Sequence, residues 1–142
     1  MKMSEKFKIL TQFIKDMSSE TPNVETYFYV KEYLKNYNLN IDITTKPLKN
    51  RMIEIDTKLS YMDKSKSKNK SYFEITYASI VQINEEIKDR KIIEKIILCD
   101  VQKEIYPSLE KVFLNLLSNS GFPGIKFEKK VDFEQLYNQR LN

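Results

Sequence analysis

Met52-Ile53-Glu54-Ile55-Asp56-Thr57-Lys58-Leu59-Ser60-Tyr61-Met62 alternates between apolar and polar side chains. Ile53, Ile55, Leu59 and Tyr61 fall on one side and Glu54, Asp56, Lys58 and Ser60 on the other, the period of two that a strand with one covered face requires. Upstream, Leu39 to Thr45 repeats the pattern, with Leu39, Ile41 and Ile43 against Asn40, Asp42 and Thr44. Lys46-Pro47-Leu48-Lys49-Asn50 between them reads as a tight reversal, so the two segments predict a hairpin. Downstream, Tyr72 to Ile83 places Phe73, Ile75, Tyr77, Val81 and Ile83 on one face and Tyr72, Glu74, Thr76, Ala78 and Ile80 on the other. Both faces are partly apolar, which predicts contacts on each side. Phe7 to Lys15, with Phe7, Ile9 and Phe13 opposite Leu10 and Ile14, supplies an amino-terminal strand to complete an antiparallel sheet. Val24 to Asn38 carries Tyr27, Phe28, Tyr29, Tyr33 and Tyr37 and fits either a short helix or a loop that crosses over.

After Glu85 the period changes. Ile92, Ile93, Ile96 and Ile97 suggest a short helix. Ile105, Leu109, Val112, Phe113, Leu116 and Leu117 then recur at spacings of three and four, as on the apolar stripe of a longer helix. Pro107 is expected in that helix's first turn, and Asn119-Ser120-Gly121 followed by Pro123 is its stop signal. Asp132 and Gln135 form a capping-box pattern, Val131 and Leu136 a hydrophobic staple, and together they predict a helix over Phe133 to Leu141. The fold class is therefore α+β: a four-stranded antiparallel sheet followed by a long and a short carboxy-terminal helix, in one domain spanning 1–142.

Composition narrows the function classes. Apolar residues at 41% and charged residues at 31% describe a chain that folds. With no histidine, the usual proton shuttle and commonest metal ligand are missing, and two glycines are too few for a phosphate-cradling loop. Glu85 and Glu86 sit in a lysine-rich stretch and read as a solvated face rather than an acid/base pair. An enzyme ranks last, and no cofactor or metal is expected. The single cysteine, Cys99, has no internal disulfide partner and reads as a small buried apolar residue. Lysines break the apolar residues of the amino terminus, so the chain reads as cytoplasmic. The formal charge is only +4, and the one dense basic run, Lys64 to Lys70 in DKSKSKNK, reads first as a solvated hairpin loop and second as a nucleic-acid or anionic-surface patch.

Two stretches resemble a known family. Phe13-Ile14-Lys15-Asp16-Met17-Ser18-Ser19-Glu20-Thr21-Pro22-Asn23 is similar to the aromatic-x-Lys-Asp-aliphatic-Ser-x-Glu-x-Pro-Asn signature of the SecB export chaperones. Tyr106-Pro107, Gly121-Phe122-Pro123, Val131-Asp132-Phe133 and Leu136-Tyr137 follow the same family's order of Phe-Pro, helix, turn and closing helix. The chain departs from the family in holding Val101-Gln102 and Glu110 where Cys-Pro and a basic residue are common, and in being mildly basic.

The resemblance implies an ATP-independent holding chaperone that binds unfolded secretory precursor proteins and delivers them to the SecA motor. It implies a homotetramer built as a dimer of dimers, with neither nucleic acid as a partner nor direct membrane insertion. It points to Phe73, Ile75, Tyr77, Leu136 and Tyr137 as client-binding residues, with a plain core or a subunit interface as the equal alternative. Asp16, Glu20, Tyr72 and Glu74 correspond to positions that dock SecA. Leu109, Val112, Phe113 and Leu116 are candidates for the contact between dimers, or equally for a face buried on the chain's own sheet. Two other functions stay open: a SecB-like chaperone dedicated to one client such as an antitoxin, and a nucleic-acid-binding sheet domain that uses the lysine loop.

Overall fold

The structure is a computed structural model and describes residues 6–65, 67–127 and 130–141. The four strands are β1 (Phe7–Glu20), β2 (Tyr37–Pro47), β3 (Met52–Asp63) and β4 (Tyr72–Ile83), joined in the order β1-β4-β3-β2. Every pairing is antiparallel, and the odd-numbered residues of β3 and β4 share one face, with Ile55 opposite Ser79, Leu59 opposite Ile75 and Tyr61 opposite Phe73. The even-numbered residues form the other face, called outer below. The β2–β3 reversal turns at Asn50 and Arg51, with φ of 60° and 61°, rather than over Lys46–Asn50. Two successive left-handed residues match the twist of a hairpin, though they favour Asn-Gly. Here Arg51 is held by its bonds: its guanidinium donates to the carbonyls of Asn84 at 3.1 Å and of Ile87, and its own carbonyl accepts from Ile83 N–H at 3.2 Å.

β1 runs past the expected end at Lys15 as far as Glu20, and its register shifts twice, between Ile9 and Thr11 and between Ile14 and Asp16. Each shift inserts an unpaired residue and moves the following side chains to the opposite face. Phe13 therefore lies beside Ala78 on the outer face, not with Phe7 and Ile9 as simple alternation predicts.

The ambiguous segment after β1 is a helix, α1 (Val24–Glu32), continued by a 3₁₀ turn at Leu34–Asn36. The Asn23 side chain caps it by accepting from Thr26 N–H at 2.8 Å. Because β1 and β2 occupy opposite edges, α1 must cross the end of the sheet. It docks through Tyr27, whose hydroxyl donates to the Gly121 carbonyl at 2.7 Å and whose ring lies 5.1 Å from that of Phe122.

Beyond β4 the helices α2 (Arg90–Lys95) and α3 (Val101–Asn119) are linked by a π-helical turn, Ile96–Asp100, whose five residues are all buried. Helix α3 starts upstream of the expected position, so Pro107 lies in its interior rather than its first turn. Pro107 is exposed, which leaves the Lys103 carbonyl, deprived of its usual donor, free to turn to water. At the far end Phe122 N–H bonds the Leu117 carbonyl and Gly121 N–H the Ser118 carbonyl, with Gly121 at φ 98°, a left-handed glycine cap. Helix α4 (Phe133–Leu141) begins as expected, with the Asp132 carboxylate accepting from Gln135 N–H at 3.0 Å.

The helices cover the odd face. Leu59, Phe73 and Ile75 pack with Leu109, Phe113 and Leu117, while Ile43, Ile55, Val81 and Ile83 pack with Ile96, Ile97, Val101 and Ile105. Between these clusters the Thr57 hydroxyl lies 3.0 and 3.2 Å from the two amide atoms of Gln102, and both residues are fully buried. The position where Gln102 departs from the family pattern thus holds a polar bridge between helix and sheet.

Candidate functional site

Burial separates the candidate residues first. Phe73 and Ile75, expected to line a client surface, are 1% and 0% exposed, and each is sealed between the sheet and α3. They are core residues, because their face of β4 is the one the helices cover. Leu109 and Phe113 are likewise 0% exposed and turned onto the chain's own sheet, so they cannot make a contact between dimers in this fold. Val112 and Leu116, the other two candidates on α3, remain partly exposed. Tyr77 is half-buried and donates to Gln12 Oε1 at 2.9 Å. Cys99 is fully buried, and that burial raises its thiol pKa, consistent with an inert core position.

The margin of the covered face stays open. A groove of about 830 Å³ runs along β2, with Tyr37, Leu39, Ile41 and Tyr61 on the sheet side and Phe127, Val131 and Leu136 on the other. Leu136 is 41% exposed within it. Lys35, Lys126 and Lys130 stand among its lining. The groove exists because the link after α3 and helix α4 stand off from the edge strand. Tyr137, expected beside Leu136, lies instead in a different cavity with Ile87, Ile92 and Ile96, since neighbouring residues on a helix point about 100° apart. The groove residues Leu39, Ile41 and Phe127 were not foreseen as a site; alternation marks Leu39 and Ile41 as apolar but not as lying on an edge.

Helix α3 and the Val131–Phe133 link bound a second cavity, about 680 Å³, lined by Tyr106, Pro107, Leu114 and Val131. The Tyr106 hydroxyl is buried without a hydrogen-bond partner among the described residues, and burial together with nearby Glu110 raises its pKa.

The outer face is polar. Asp16, Glu20, Tyr72 and Glu74 all lie on it in adjacent rows, with Glu20 opposite Tyr72, Ser18 opposite Glu74 and Asp16 opposite Thr76. Tyr72 is 51% exposed. Lys58 pairs with Glu74 at 2.6 Å, and Glu74, aided by Asp42 and Asp16, holds its ammonium pKa above the ordinary lysine value. Lys15 pairs with Glu54 at 2.5 Å and Asp56 at 2.8 Å, which raises the lysine's pKa and lowers that of Glu54. Asp16 and Glu20 make no ion pair with a described residue, so their charge faces outward at the β1 side.

β1 itself is a free edge. Leu10, Phe13, Ile14 and Met17 are each between 41% and 47% exposed along it. Long apolar edges with unpaired backbone groups are templates for another strand.

Nothing in these surfaces presents a reacting constellation; what they offer is apolar area and charge. Comparison with known proteins agrees. The family model described as preprotein translocase subunit SecB matches residues 1–142. A relative from Pelagibacter ubique, named "Putative protein-export protein SecB", is 56% identical over 140 residues, covering 99% of this chain and 100% of the relative. The protein-export protein SecB of Parvibaculum lavamentivorans is 25% identical over 134 residues, covering 94% of this chain and 77% of its own. Among solved structures, a SecB-like chaperone of Mycobacterium tuberculosis, in complex with a ChAD peptide from the HigA1 antitoxin, superposes with a TM-score of 0.63 at 9% identity, over 91% of this chain and 93% of that one. That likeness concerns the fold. No helix among the described residues is long and apolar enough to cross a membrane. The chain belongs to the SecB family, whose members are chaperones of protein export and not enzymes.

Proposed function

We propose that the chain holds unfolded secretory precursors in the cytoplasm without ATP, as a homotetramer, and delivers them to SecA. The observation that carries this reading is the groove beside β2. Leu39, Ile41, Tyr61, Phe127, Val131 and Leu136 give it an apolar stretch, interspersed with Lys35, Asn38, Asp132 and Gln135, and such a stretch accepts many sequences because apolar burial has no direction. Each client side chain of leucine or phenylalanine size that enters gains about 1.5 to 3 kcal/mol. Several copies acting on one long client raise the overall affinity by making each further contact intramolecular. Capture of the unfolded form alone displaces the folding equilibrium by mass action, so no nucleotide is required.

The free β1 edge supports assembly. Pairing of two such edges would satisfy their backbone groups and cover Phe13, Ile14 and Met17, while Val112 and Leu116 on α3 are the apolar residues left for a contact between dimers. Asp16, Glu20, Tyr72 and Glu74 then present a docking face for SecA, on the side of the sheet opposite the helices.

The test is the refolding of a slowly folding precursor, followed by fluorescence. A stoichiometric excess of the protein should delay refolding, and Leu39→Ser with Leu136→Ser should abolish most of the delay while leaving the circular dichroism spectrum unchanged. Refolding at the same rate with and without the protein would overturn the reading. A delay for one client out of a broad panel would instead favour the dedicated chaperone.

A further inference from the structure

The lysine run between β3 and β4 belongs to neither the groove nor the docking face, and its described residues are held at the base by hydrogen bonds. Its base is pinned by the Tyr37 hydroxyl, which accepts from Ser71 N–H at 2.9 Å and reaches the Ser71 carbonyl at 3.2 Å, and by a hydrogen bond of 2.7 Å between the Thr21 and Ser71 hydroxyls. The Asp63 carboxylate, 5% exposed, accepts from Ser65 N–H at 2.8 Å, and Asn69 N–H bonds the Ser67 hydroxyl at 3.2 Å. Lys64 and Lys68 are exposed and Lys70 partly so, no acidic residue lies between Lys64 and Ser71, and none of these three lysines forms an ion pair with a described residue. In contrast, Lys15 and Lys58 on the neighbouring sheet face are matched by carboxylates.

The pairing register places this loop at the end of the sheet where β1 stops and α1 crosses to β2. That end also exposes apolar groups: Val24 is 65%, Phe28 62% and Tyr72 51% exposed. Exposed lysines at the same end of the sheet as an exposed tyrosine, phenylalanine and valine are the composition of a surface that rests on a lipid interface, with ammonium groups among the phosphates and the rings at headgroup depth. Single-stranded nucleic acid asks for something else, namely rings or guanidinium planes for bases to stack on along a basic track. The loop from Lys64 to Ser71 contains neither arginine nor an aromatic residue, and the exposed rings at this end, Phe28 and Tyr72, stand outside it on α1 and at the head of β4 rather than interleaved with the lysines.

We propose that this end of the molecule is a contact surface for anionic phospholipid headgroups, carried by Lys64, Lys68 and Lys70. Each lysine near an anionic surface contributes about a five-fold gain in partitioning, so three give about a hundred-fold. That is enough to concentrate the protein reversibly at a membrane and too little to anchor it. The surface is separate from the client groove and does not depend on it, and it meets the proposed docking face at Tyr72, opposite Glu20.

The experiment is sedimentation of the full chain with vesicles of phosphatidylcholine alone and of phosphatidylcholine with one-third phosphatidylglycerol, at low and high salt. Binding is expected only to the anionic vesicles, and it should fade at high salt as screening shortens the reach of the charges. Lys64→Ser, Lys68→Ser and Lys70→Ser together should lower the partition coefficient about a hundred-fold. A triple variant with the same change of net charge, Lys88→Ser, Lys91→Ser and Lys95→Ser, should keep most of the binding. Equal loss in both triples would show that net charge alone is responsible and overturn the proposal, as would equal binding to both vesicle types. Tighter binding to homopolymeric RNA than to the anionic vesicles at the same ionic strength would assign the loop to nucleic acid instead.

Discussion

The two faces of the sheet are made by the same strands, and they differ in almost every physical respect. The covered face carries Ile55, Leu59, Phe73 and Ile75, each at 0% or 1% exposure, and a fully buried polar pair there, Thr57 with Gln102, is satisfied internally. The outer face carries Glu54, Asp56, Lys58 and Glu74, bound to one another or to Lys15 in partly exposed ion pairs. What separates them is the neighbour each meets. Helices supply an apolar partner on one side, whereas the charged residues of the other meet water or another macromolecule. Burial is therefore concentrated in the covered face, and the outer face, the free β1 edge and the groove at the β2 margin are the surfaces open to a partner.

The sharpest way to break that division is at its centre. Phe73→Ala would leave a cavity between β4, α3 and the Phe122 ring, 5.6 Å away, and should cost about 3 to 5 kcal/mol in urea unfolding. Had Phe73 been a client-binding residue, the same change would weaken client capture with little loss of stability. Next comes the point where α1 meets the end of α3. A Cβ at Gly121 would approach Tyr27 Cε1 to 2.6 Å, at a φ of 98° that side chains rarely adopt. Gly121→Ala should thus cost about 1 to 3 kcal/mol in strain and a further 1 kcal/mol or so if the Tyr27 hydroxyl bond is lost. The same unfolding curves measure it, and hydrogen exchange should show α1 opening first.

A smaller effect is expected at the polar bridge. Thr57→Val keeps the shape but strands the Gln102 amide in the core, at a cost of about 1 to 3 kcal/mol. A second change, Gln102→Leu, should recover part of the loss, because removing both partners leaves nothing unsatisfied. Failure of the double variant to recover would mean that packing around α3, not the hydrogen bond, sets the value of this site.

The strands and the last helix could be read from residues because each pattern is local. Alternation marks β3 and β4, and Asp132 with Gln135 marks the start of α4. What local patterns do not carry is which elements lie over which face. Phe73, Ile75, Leu109 and Phe113 are correctly apolar in the sequence, yet their burial depends on α3 lying across the sheet, a long-range fact. Simple alternation puts Phe13 on the wrong face because the unpaired Leu10 before it leaves no mark in a single sequence. Helix α1 is ambiguous in the sequence because its aromatics form no continuous stripe: Tyr27 makes an end-on contact with Gly121 and Phe122, Phe28 is exposed and Tyr29 stacks on Tyr33. Pro107 misled for a related reason: it signals a helix start on average, but an exposed interior position tolerates it. The groove was legible only in fragments, since Leu39, Phe127 and Leu136 are brought together by tertiary contact alone.

The smallest expected effect belongs to the outer face and concerns acid. Glu54 is held below its ordinary pKa chiefly by the Lys15 ammonium, with Asp56 assisting. A carboxyl whose folded pKa is depressed stabilises the fold above its unfolded pKa, and that contribution disappears as pH falls through the folded value. The ion pair should therefore make its full difference at neutral pH, and wild type should lose it progressively below the ordinary glutamate range. Lys15→Ala should show a shallower dependence over the same acid window and only a slight change at neutral pH, because the lysine is exposed and screened by solvent. Urea midpoints from pH 7 downward for the two proteins test this directly. Parallel curves would mean that the pairs on this face contribute nothing measurable to folding, which would leave recognition as the sole role of its charges.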